Sequence, residues 1–357
     1  MRRRHLQLLE TIRRSSTQDF KFRHTSPSFP RSFSKSPQLL GRTPTPTSLT
    51  AMAPLNPASQ EAIDRLRRYT PPPTAYGQVP LSRRAAVLIL LYADLQGDLR
   101  VVITIRAKTL SSYAGEAALP GGKADTLSET AFQTARREAC EEIGLPDINQ
   151  PLPPPFSVEH LCELPANLAK TELVVRPCVA LLHSFDPVTG ANADPETELI
   201  PRLDAREVAA VFTARFDDFL RLVNCEGRGR EIGIGVLGVC GIKVNGGVMH
   251  QFFVHSTNHA IKPHSPNNKA QNAAVDKLTH QEETGQVQHY RVFGMTARII
   301  VDAARVAFAR EPEFEHNSHF GDEEMINNLR RLGRLSQVRR PGDELTREMM
   351  ERAAKLS

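Results

Sequence analysis

The chain has 357 residues, of which 40% are hydrophobic and 24% are charged, so it can bury a core and form one or two domains. Residues 1–60 contain ten Lys or Arg and two Asp or Glu, so they carry +8 and leave −3 on the remainder of a chain whose net charge is +5. This slightly acidic remainder lacks the basic footprint of a nucleic-acid-binding protein, and we expect no nucleic acid partner.

The cysteines and the apolar runs argue against two further classes of protein. An odd number of cysteines without a C-x-x-C pair favours free thiols over a disulfide framework or a zinc knuckle. The five are Cys140, Cys162, Cys178, Cys225 and Cys240. The longest apolar run, Ala85–Ala93, is far shorter than the about 20 residues that a membrane-spanning helix needs, so we expect no membrane insertion.

Residues 1–57 form a basic stretch rich in Arg, Ser, Thr and Pro. Leu6, Leu9 and Ile12 with flanking arginines are typical of a short basic amphipathic helix, as in a mitochondrial presequence. A disordered basic tail, or an extension upstream of a true start at Met52, explains the same composition. We therefore expect a mitochondrial location, with a peroxisomal or cytoplasmic one as alternatives.

Residues 58–81 are expected to form a short helix and a Pro-rich linker. Asn56 and Pro57 have the residue types of a helix cap and a first helical position, and three prolines at 71–73 end the segment. The aliphatic runs Ala85–Tyr92 and Arg100–Ile105 then predict a hairpin or two adjacent core strands.

The second half of the chain predicts further strands, one firm helix and a polar insertion. Strands are predicted at Val158–Leu164, Leu173–His183 and Val208–Phe212, and a hairpin at Ile232–Val254. Met295–Phe308 has the spacing of an amphipathic helix.

The polar residues 256–286 are expected to be a disordered insertion. Residues 315–357 are expected to be a charged, peripheral C-terminal extension with helices near Glu323–Leu332 and Asp343–Leu356.

Pro120–Leu145 is the chemically densest stretch of the chain. Thr126 and Glu129 have the spacing of a capping box, and Gly144 has the residue type of a left-handed helix cap, which together predict a helix over about 127–143. Before this helix, Pro120-Gly121-Gly122 offers a backbone that can closely approach a phosphate or lend a carbonyl to a metal.

The predicted helix places three carboxylates on one flank. Measured from the apolar position Ala139 at about 100° per residue, Glu142, Glu138 and Glu141 lie near about −60°, −100° and −160°. Like charges so close need compensation, either from the neighbouring Arg136 and Arg137 or from a hard cation such as Mg²⁺ or Mn²⁺. An ordinary solvated acidic face is the alternative.

The stretch PGGKADTLSETAFQTARREACEEIGL resembles the signature box of the Nudix hydrolases. The family pattern is Gly, a gap of five, Glu, a gap of seven, and then Arg-Glu-aliphatic-any-Glu-Glu-any-Gly-aliphatic. The second gap and the final block match here, but Gly122 stands six residues before Glu129. The positions that match from the first Glu onward are Glu129, Arg137, Glu138, Ala139, Glu141, Glu142, Gly144 and Leu145.

The longer loop and the residues before it resemble the coenzyme A diphosphatase subgroup. Thr104, Arg106, Ala107, Gly115 and Pro120-Gly121-Gly122 match that subgroup's upstream pattern. Two positions depart from it, since Ser111 and Leu119 stand where arginine and phenylalanine are usual.

The resemblance implies an α/β fold, the Nudix α/β/α sandwich with a mixed sheet, over residues 82–314. It implies that Glu138, Glu141 and Glu142 bind Mg²⁺ or Mn²⁺, with Gly121 as a possible carbonyl ligand. Arg137 would orient Glu138 or pair with Glu129.

The remaining implied roles concern the substrate and the base. Arg106, Gly121 and Gly122 would contact the substrate phosphates. The general base is left open between Glu138, Glu141 and Glu207.

The implied reaction is hydrolysis of the diphosphate bond of coenzyme A or acyl-CoA, giving adenosine 3′,5′-bisphosphate and 4′-phosphopantetheine or its acyl form. A Nudix hydrolase of another nucleoside diphosphate derivative and a silent binding module are the alternatives. The expected partner is thus a small molecule, and the oligomeric state is left open. A rival zinc site from His250, His255, His259 and His264 is weak, because their spacing fits no common pattern.

Overall fold

The computed structural model describes most of the chain from residue 55 onward. The described residues are 55–106, 116–186, 188–199, 208–222, 236–244, 247–255, 262, 269–284, 289–338 and 345–356. The predictions for the N-terminal basic stretch and for Ser111, Gly115 and Glu207 lie outside these ranges.

The described residues form six α-helices and eleven strands. The helices are α1 (Pro57–Arg68), α2 (Ala131–Ile143), α3 (Lys269–Glu283), α4 (Gly294–Phe308), α5 (Glu323–Arg331) and α6 (Arg347–Ala354). The strands are β1 (Arg84–Ala93), β2 (Leu99–Arg106), β3 (Ala117–Ala118), β4 (Gly121–Lys123), β5 (Ser157–Glu163), β6 (Asn167–Leu168), β7 (Val174–His183), β8 (Val208–Arg215), β9 (Val236–Val244), β10 (Gly247–His255) and β11 (His289–Phe293). Short 3₁₀ turns lie at Tyr76–Gln78, Leu81–Arg83 and Asp217–Leu220, and a π-helical turn at Pro195–Leu199.

Eight of the described strands form one mixed sheet. Its central order is β3-β2-β1-β7-β5, with β4 paired to β1, β6 to β7 and β8 to β2. The β1–β7 pair is parallel and the other pairs are antiparallel. The predicted pairing of the two aliphatic runs is confirmed, since β1 and β2 are antiparallel neighbours.

Alternating side chains of β1 enter two separate cores, as the two-residue period of a strand requires. Leu88 and Leu90 pack with α2, α5 and α6 on one face of the sheet. Ile89 and Leu91 pack with α1, α4 and the smaller sheet β11-β10-β9 on the other. This layering confirms the expected α/β/α arrangement around a mixed sheet.

Two expectations about the C-terminal half are wrong. The polar segment 256–286, expected to be disordered, contains helix α3, whose Ala274 is buried against the core and whose Gln271 Nε2 donates to the Val208 carbonyl at 3.0 Å. The C-terminal extension, expected to be peripheral, buries Ile326 and Leu329 of α5 completely. Both segments are ordered and packed by contacts with residues far away in the sequence, and local composition does not predict such contacts.

Two further helices form where the sequence predicts them. Asn56 caps α1 through a hydrogen bond from Ser59 N, and Pro57 is its first residue. The helix α4 closely matches the predicted amphipathic segment. Among the described residues, none of the helices combines the length and apolar character needed to cross a bilayer.

Candidate active site

Helix α2 begins later than predicted and has a different cap. Thr130 Oγ1 accepts a hydrogen bond from Gln133 N at 3.1 Å, and Gln133 Oε1 accepts one from Thr130 N at 2.8 Å. This pair forms the capping box, so the predicted box of Thr126 and Glu129 is wrong. The physical reason is that the Glu129 carboxylate is engaged elsewhere, by the arginine described below.

The end of α2 is as predicted. Gly144 has a φ of 68°, which is the left-handed cap, and Leu145 is fully buried behind it. Phe132, Ala135, Ala139 and Ile143 form the buried stripe of the helix.

The three carboxylates of α2 differ in exposure in the order that their predicted angles imply. Glu142 is buried, the Glu138 side chain is 17% exposed, and the Glu141 side chain is 49% exposed. The flank therefore runs from the edge of the core out to solvent, so a ligand from solvent can reach its outer part.

Arg137 is the cation that two of these carboxylates, Glu138 and Glu141, contact. Its Nη1 lies 3.3 Å from Glu138 Oε1 and 3.2 Å from Glu141 Oε1, and its Nε donates to Glu129 Oε1 at 2.9 Å. Both roles expected of Arg137, pairing with Glu129 and orienting Glu138, are thus compatible with its position. Arg136 lies on the other flank, where its Nη2 donates to the Pro146 carbonyl at 2.6 Å.

Glu129 ties the loop before α2 to the helix. Besides Arg137, its carboxylate accepts hydrogen bonds from Asp125 N and from Thr134 Oγ1, both at 3.0 Å. Burial raises the pKa of Glu129, but the hydrogen bonds from Arg137, Asp125 and Thr134 outweigh it and leave the pKa below its ordinary value. Thr134 is not among the residues predicted for the site, although it precedes Arg137 by three residues and so lies on the same face of the helix.

Gly121 and Gly122 lie directly against the carboxylates of α2. They pair with β1, and Gly121 N donates to Glu142 Oε2 at 3.0 Å. Gly121 has a φ of 149°, which a residue with a side chain rarely adopts, and a Cβ on Gly122 would lie 2.5 Å from the Glu138 carboxylate. Glycine is therefore required at both positions for the backbone to approach the acidic flank.

The donor set fits a divalent cation, and the site carries more negative than positive charge. Burial raises the pKa of Glu138, and the neighbouring Glu141 raises it further, while Arg137 opposes both effects. Carboxylate oxygens are the donors that hard cations prefer, and Gly122 adds no side chain that would cover Glu138. Among the described residues, no three His, Cys, Asp or Glu side chains already converge as a preformed cage.

Arg106 lies at the end of β2, where β3 and β8 flank that strand. Its backbone N–H donates to the Glu116 carbonyl at 3.1 Å, and it pairs with Val208 after an irregularity in the ladder. Its side-chain Nε is buried and has no hydrogen-bond partner among the described residues. An unsatisfied guanidinium nitrogen at this position is compatible with an anionic ligand, although Arg215 and Arg298, which are ion-paired, share the feature.

Of the predicted histidine cluster, only the His250 side chain is described. Its ring lies 4.6 Å from Phe314 and 5.3 Å from His316, centroid to centroid. The zinc interpretation thus stays untested for the other three histidines. His316 contacts Asp302 at 3.0 Å, a partnership between distant segments that sequence spacing does not reveal.

Comparisons with known proteins place the chain. Residues 82–224 match the NUDIX domain. A protein of Pectobacterium atrosepticum called uncharacterized Nudix hydrolase NudL is 30% identical over 171 residues, which cover 48% of this chain and 76% of that protein. The chain belongs to the Nudix hydrolase family. We call helix α2 the Nudix helix and Pro120–Thr130 the Nudix loop, after the signature box that this stretch resembles.

This chain spans less than two thirds of the length of two other curated relatives. The peroxisomal coenzyme A diphosphatase 1 of Saccharomyces cerevisiae is 40% identical over 132 residues, 35% of this chain and 39% of that protein. Nudix hydrolase 15, mitochondrial, of Arabidopsis thaliana is 30% identical over 235 residues, 65% of this chain and 61% of that protein. The crystal structure of a Nudix hydrolase from M. smegmatis, RenU, is 22% identical and covers 38% of this chain and 73% of that one, with a TM-score of only 0.26.

Proposed function

We propose that this Nudix protein is a divalent-cation-dependent diphosphatase that hydrolyses the diphosphate bond of coenzyme A or acyl-CoA. The observation that carries the proposal is the acidic flank of α2 with the glycine backbone of β4 against it. Gly121 N contacts Glu142, and Gly122 leaves no room for a side chain beside Glu138. An acidic, partly exposed helix flank next to a side-chain-free backbone suits a cation and a diphosphate together.

In this proposal Glu138, Glu141 and Glu142 hold Mg²⁺ or Mn²⁺. A cation bound there acts as a Lewis acid on the diphosphate and neutralises its charge. Arg137 keeps Glu138 in place from one side, and Glu129 holds Arg137 through a 2.9 Å contact. Arg106 contributes its guanidinium to the phosphates.

The bond changes of the reaction follow from the products. The oxygen of a water molecule forms a bond to one phosphorus, and the bond from that phosphorus to the bridging oxygen breaks. The products are adenosine 3′,5′-bisphosphate and 4′-phosphopantetheine or its acyl form. Glu138 or Glu141 takes the proton of the water, since both carboxylates lie on the exposed side of the flank.

The choice of coenzyme A as substrate draws on the relatives. A yeast protein that shares 40% identity over 132 residues is called a coenzyme A diphosphatase, but this chain spans only 39% of its length. A mitochondrial location is likewise a proposal, supported by the basic residues 1–57 and by the mitochondrial Arabidopsis relative. Fusion of residues 1–57 to a fluorescent protein tests it, and a diffuse signal would contradict it.

A substrate panel tests the proposed reaction. The full chain is incubated with Mg²⁺ or Mn²⁺ and, separately, with coenzyme A, acetyl-CoA, a nucleotide sugar and a dinucleotide, and the products are identified by mass spectrometry. We expect adenosine 3′,5′-bisphosphate from the first two, and no turnover after a chelator is added. Turnover of only the nucleotide sugar or the dinucleotide would show that coenzyme A is not the substrate. Tight binding without any turnover would indicate a silent module.

A further inference from the structure

One face of the small sheet β11-β10-β9 combines aromatic side chains with an arginine, and none of these residues belongs to the proposed catalytic site. In the β10–β11 ladder, Gln251 pairs with Phe293 and Phe253 pairs with Arg291. Residues directly opposite each other in a ladder share a face, and residues two apart on a strand do so as well. These four side chains therefore form one block, which we call the Arg291 platform.

The opposite face of the same two strands is part of the core. Phe252, Tyr290 and Val292 are buried, and the rings of Tyr290 and Phe212 lie 4.7 Å apart. Since the core already holds that face, the Arg291 platform faces away from it. Arg291 is exposed there, and Phe253 and Phe293 are half-buried.

Arg291 is oriented but not neutralised. Its guanidinium carbon lies 4.2 Å from the centroid of the Phe293 ring, and its Nη1 lies 3.5 Å from Gln251 Oε1. Among the described residues it contacts no carboxylate, whereas Arg137, Arg176 and Arg298 all do. A guanidinium stacked on an aromatic ring keeps its N–H edge available for a phosphate.

The platform lies at the same end of the molecule as the Nudix loop. Strand β11 lies against β3, and β3 ends two residues before Pro120, at the start of the Nudix loop. The other neighbour of β3 is the end of β2, which carries Arg106. Arg106 and Arg291, which contact no carboxylate among the described residues, thus lie on strands that flank β3, so a ligand with two separated anionic groups suits this end.

We propose that the Arg291 platform binds the phosphorylated adenosine end of the substrate. The guanidinium of Arg291 pairs with the ribose 3′-phosphate, and the ring of Phe253 stacks with the adenine. This inference rests on the proposed function, because it assigns one end of the substrate whose diphosphate lies at the Nudix loop. It makes Arg291 a residue that distinguishes coenzyme A from its analogue without the 3′-phosphate.

Binding measurements on the full chain test this assignment without turnover. Adenosine 3′,5′-bisphosphate and adenosine 5′-monophosphate, which differ only in the 3′-phosphate, are titrated into the protein by calorimetry. We expect the bisphosphate to bind about tenfold more tightly, as a charge-assisted hydrogen bond predicts. Arg291→Ala should abolish this preference, and Arg291→Lys should retain part of it.

Two further variants separate charge from stacking. Arg352→Ala removes the same charge from an exposed position on α6, which packs on the opposite face of the large sheet, and should leave the preference unchanged. Phe253→Leu should weaken the binding of both nucleotides severalfold and by the same factor, because stacking does not depend on the phosphate. A preference that is missing in the unaltered protein, or that survives in Arg291→Ala, would overturn the inference.

The binding test and the turnover test can fail separately. If coenzyme A is hydrolysed but Arg291→Ala keeps the preference, the platform assignment is wrong and the reaction stands. If the preference depends on Arg291 but coenzyme A is not hydrolysed, the platform assignment stands and the reaction is wrong.

Discussion

Two arginine–carboxylate clusters lie on the same face of the large sheet and differ in how completely their charges are matched. In the first, Arg137 on α2 contacts Glu129, Glu138 and Glu141, and its side chain is 22% exposed. In the second, Arg176 on β7 lies between Glu163 and Glu323, and its side chain is only 3% exposed. The residue types are the same, but the surroundings give them different uses.

The buried cluster has one carboxylate in excess, which backbone N–H groups engage, whereas the cluster on α2 has two in excess. Glu323 accepts hydrogen bonds from Ala75 N at 2.9 Å and from Ala166 N at 2.8 Å in addition to its contact with Arg176. Its role is to fasten α5 to two distant loops. In the cluster on α2, one guanidinium contacts three carboxylates, two on the helix and one on the loop before it, so a larger excess of negative charge is left for a cation. The size of the carboxylate excess, and its engagement by backbone donors, therefore distinguish the structural cluster from the candidate site.

Breaking the buried cluster should have the largest effect on stability. Glu323→Ala leaves Arg176 with only Glu163 and removes the acceptor of two backbone N–H groups. We expect the free energy of unfolding to fall by about 3 kcal/mol, measured by urea denaturation. Glu324→Ala, the exposed neighbour, is the matched control and should change it by less than about 0.5 kcal/mol. Equal effects of the two would remove the distinction between the clusters.

Filling the space beside Glu138 should lower activity, which would support a functional role for the cluster on α2. In Gly122→Ala the new Cβ would meet the Glu138 carboxylate at 2.5 Å, so either the loop or the carboxylate must move. We expect kcat/KM to fall about 100-fold, as displacement of a positioned group predicts. In Gly77→Ala nothing lies within 4 Å of the new atom, so this control should keep its activity, and loss of activity in both variants would argue against a specific role of Gly122.

A third cluster, formed by His250, His316 and Asp302, should make the free energy of unfolding depend on pH. Burial, with His316 nearby, lowers the pKa of His250 from 6.5 to about 4. Between these values the unfolded chain binds a proton that the folded chain does not, so the free energy of unfolding should fall as the pH is lowered from 6.5 to 4. Asp302 contacts His316 and Arg305, and Glu315 also acts on His250. His250→Gln should weaken this pH dependence, whereas His319→Gln at an exposed position should preserve it.

The smallest predicted effect concerns the two threonines before α2. Thr130→Ala removes the side chain that caps the helix and should lower the free energy of unfolding by about 1 kcal/mol. Thr126→Ala removes a hydroxyl that contacts only Ser128 among the described residues and should leave stability within about 0.5 kcal/mol. Thermal unfolding of both variants decides between the observed cap and the one that the sequence predicted.

The candidate site could be predicted from sequence because its parts lie within one short stretch. The spacing of Glu138, Glu141 and Glu142 fixes their common flank, and the pairing of Arg137 with Glu129 needs only a loop and two helical turns. The helix start was the error, since Thr126 and Thr130 both have capping partners three residues on, and the choice depends on where Glu129 points.

The rest of the fold depends on contacts between distant residues. Arg298 of α4 donates to both carboxylate oxygens of Asp322, which precedes α5, and Asp322 Oδ2 also accepts a hydrogen bond from Leu168 N. Neither helix periodicity nor local composition records such a connection. The same reason explains why α3 was mistaken for a disordered segment: its anchor, Gln271, reaches a carbonyl of β8.

The central claim is that the acidic flank of α2 supports hydrolysis of a diphosphate, and Glu142→Gln tests it most directly. Gln can still accept the hydrogen bond from Gly121 N but brings no negative charge. With coenzyme A and saturating Mg²⁺, we predict that turnover falls at least about 100-fold while the free energy of unfolding changes by less than about 1 kcal/mol. Full turnover by a folded Glu142→Gln variant would contradict the assignment of the cation site.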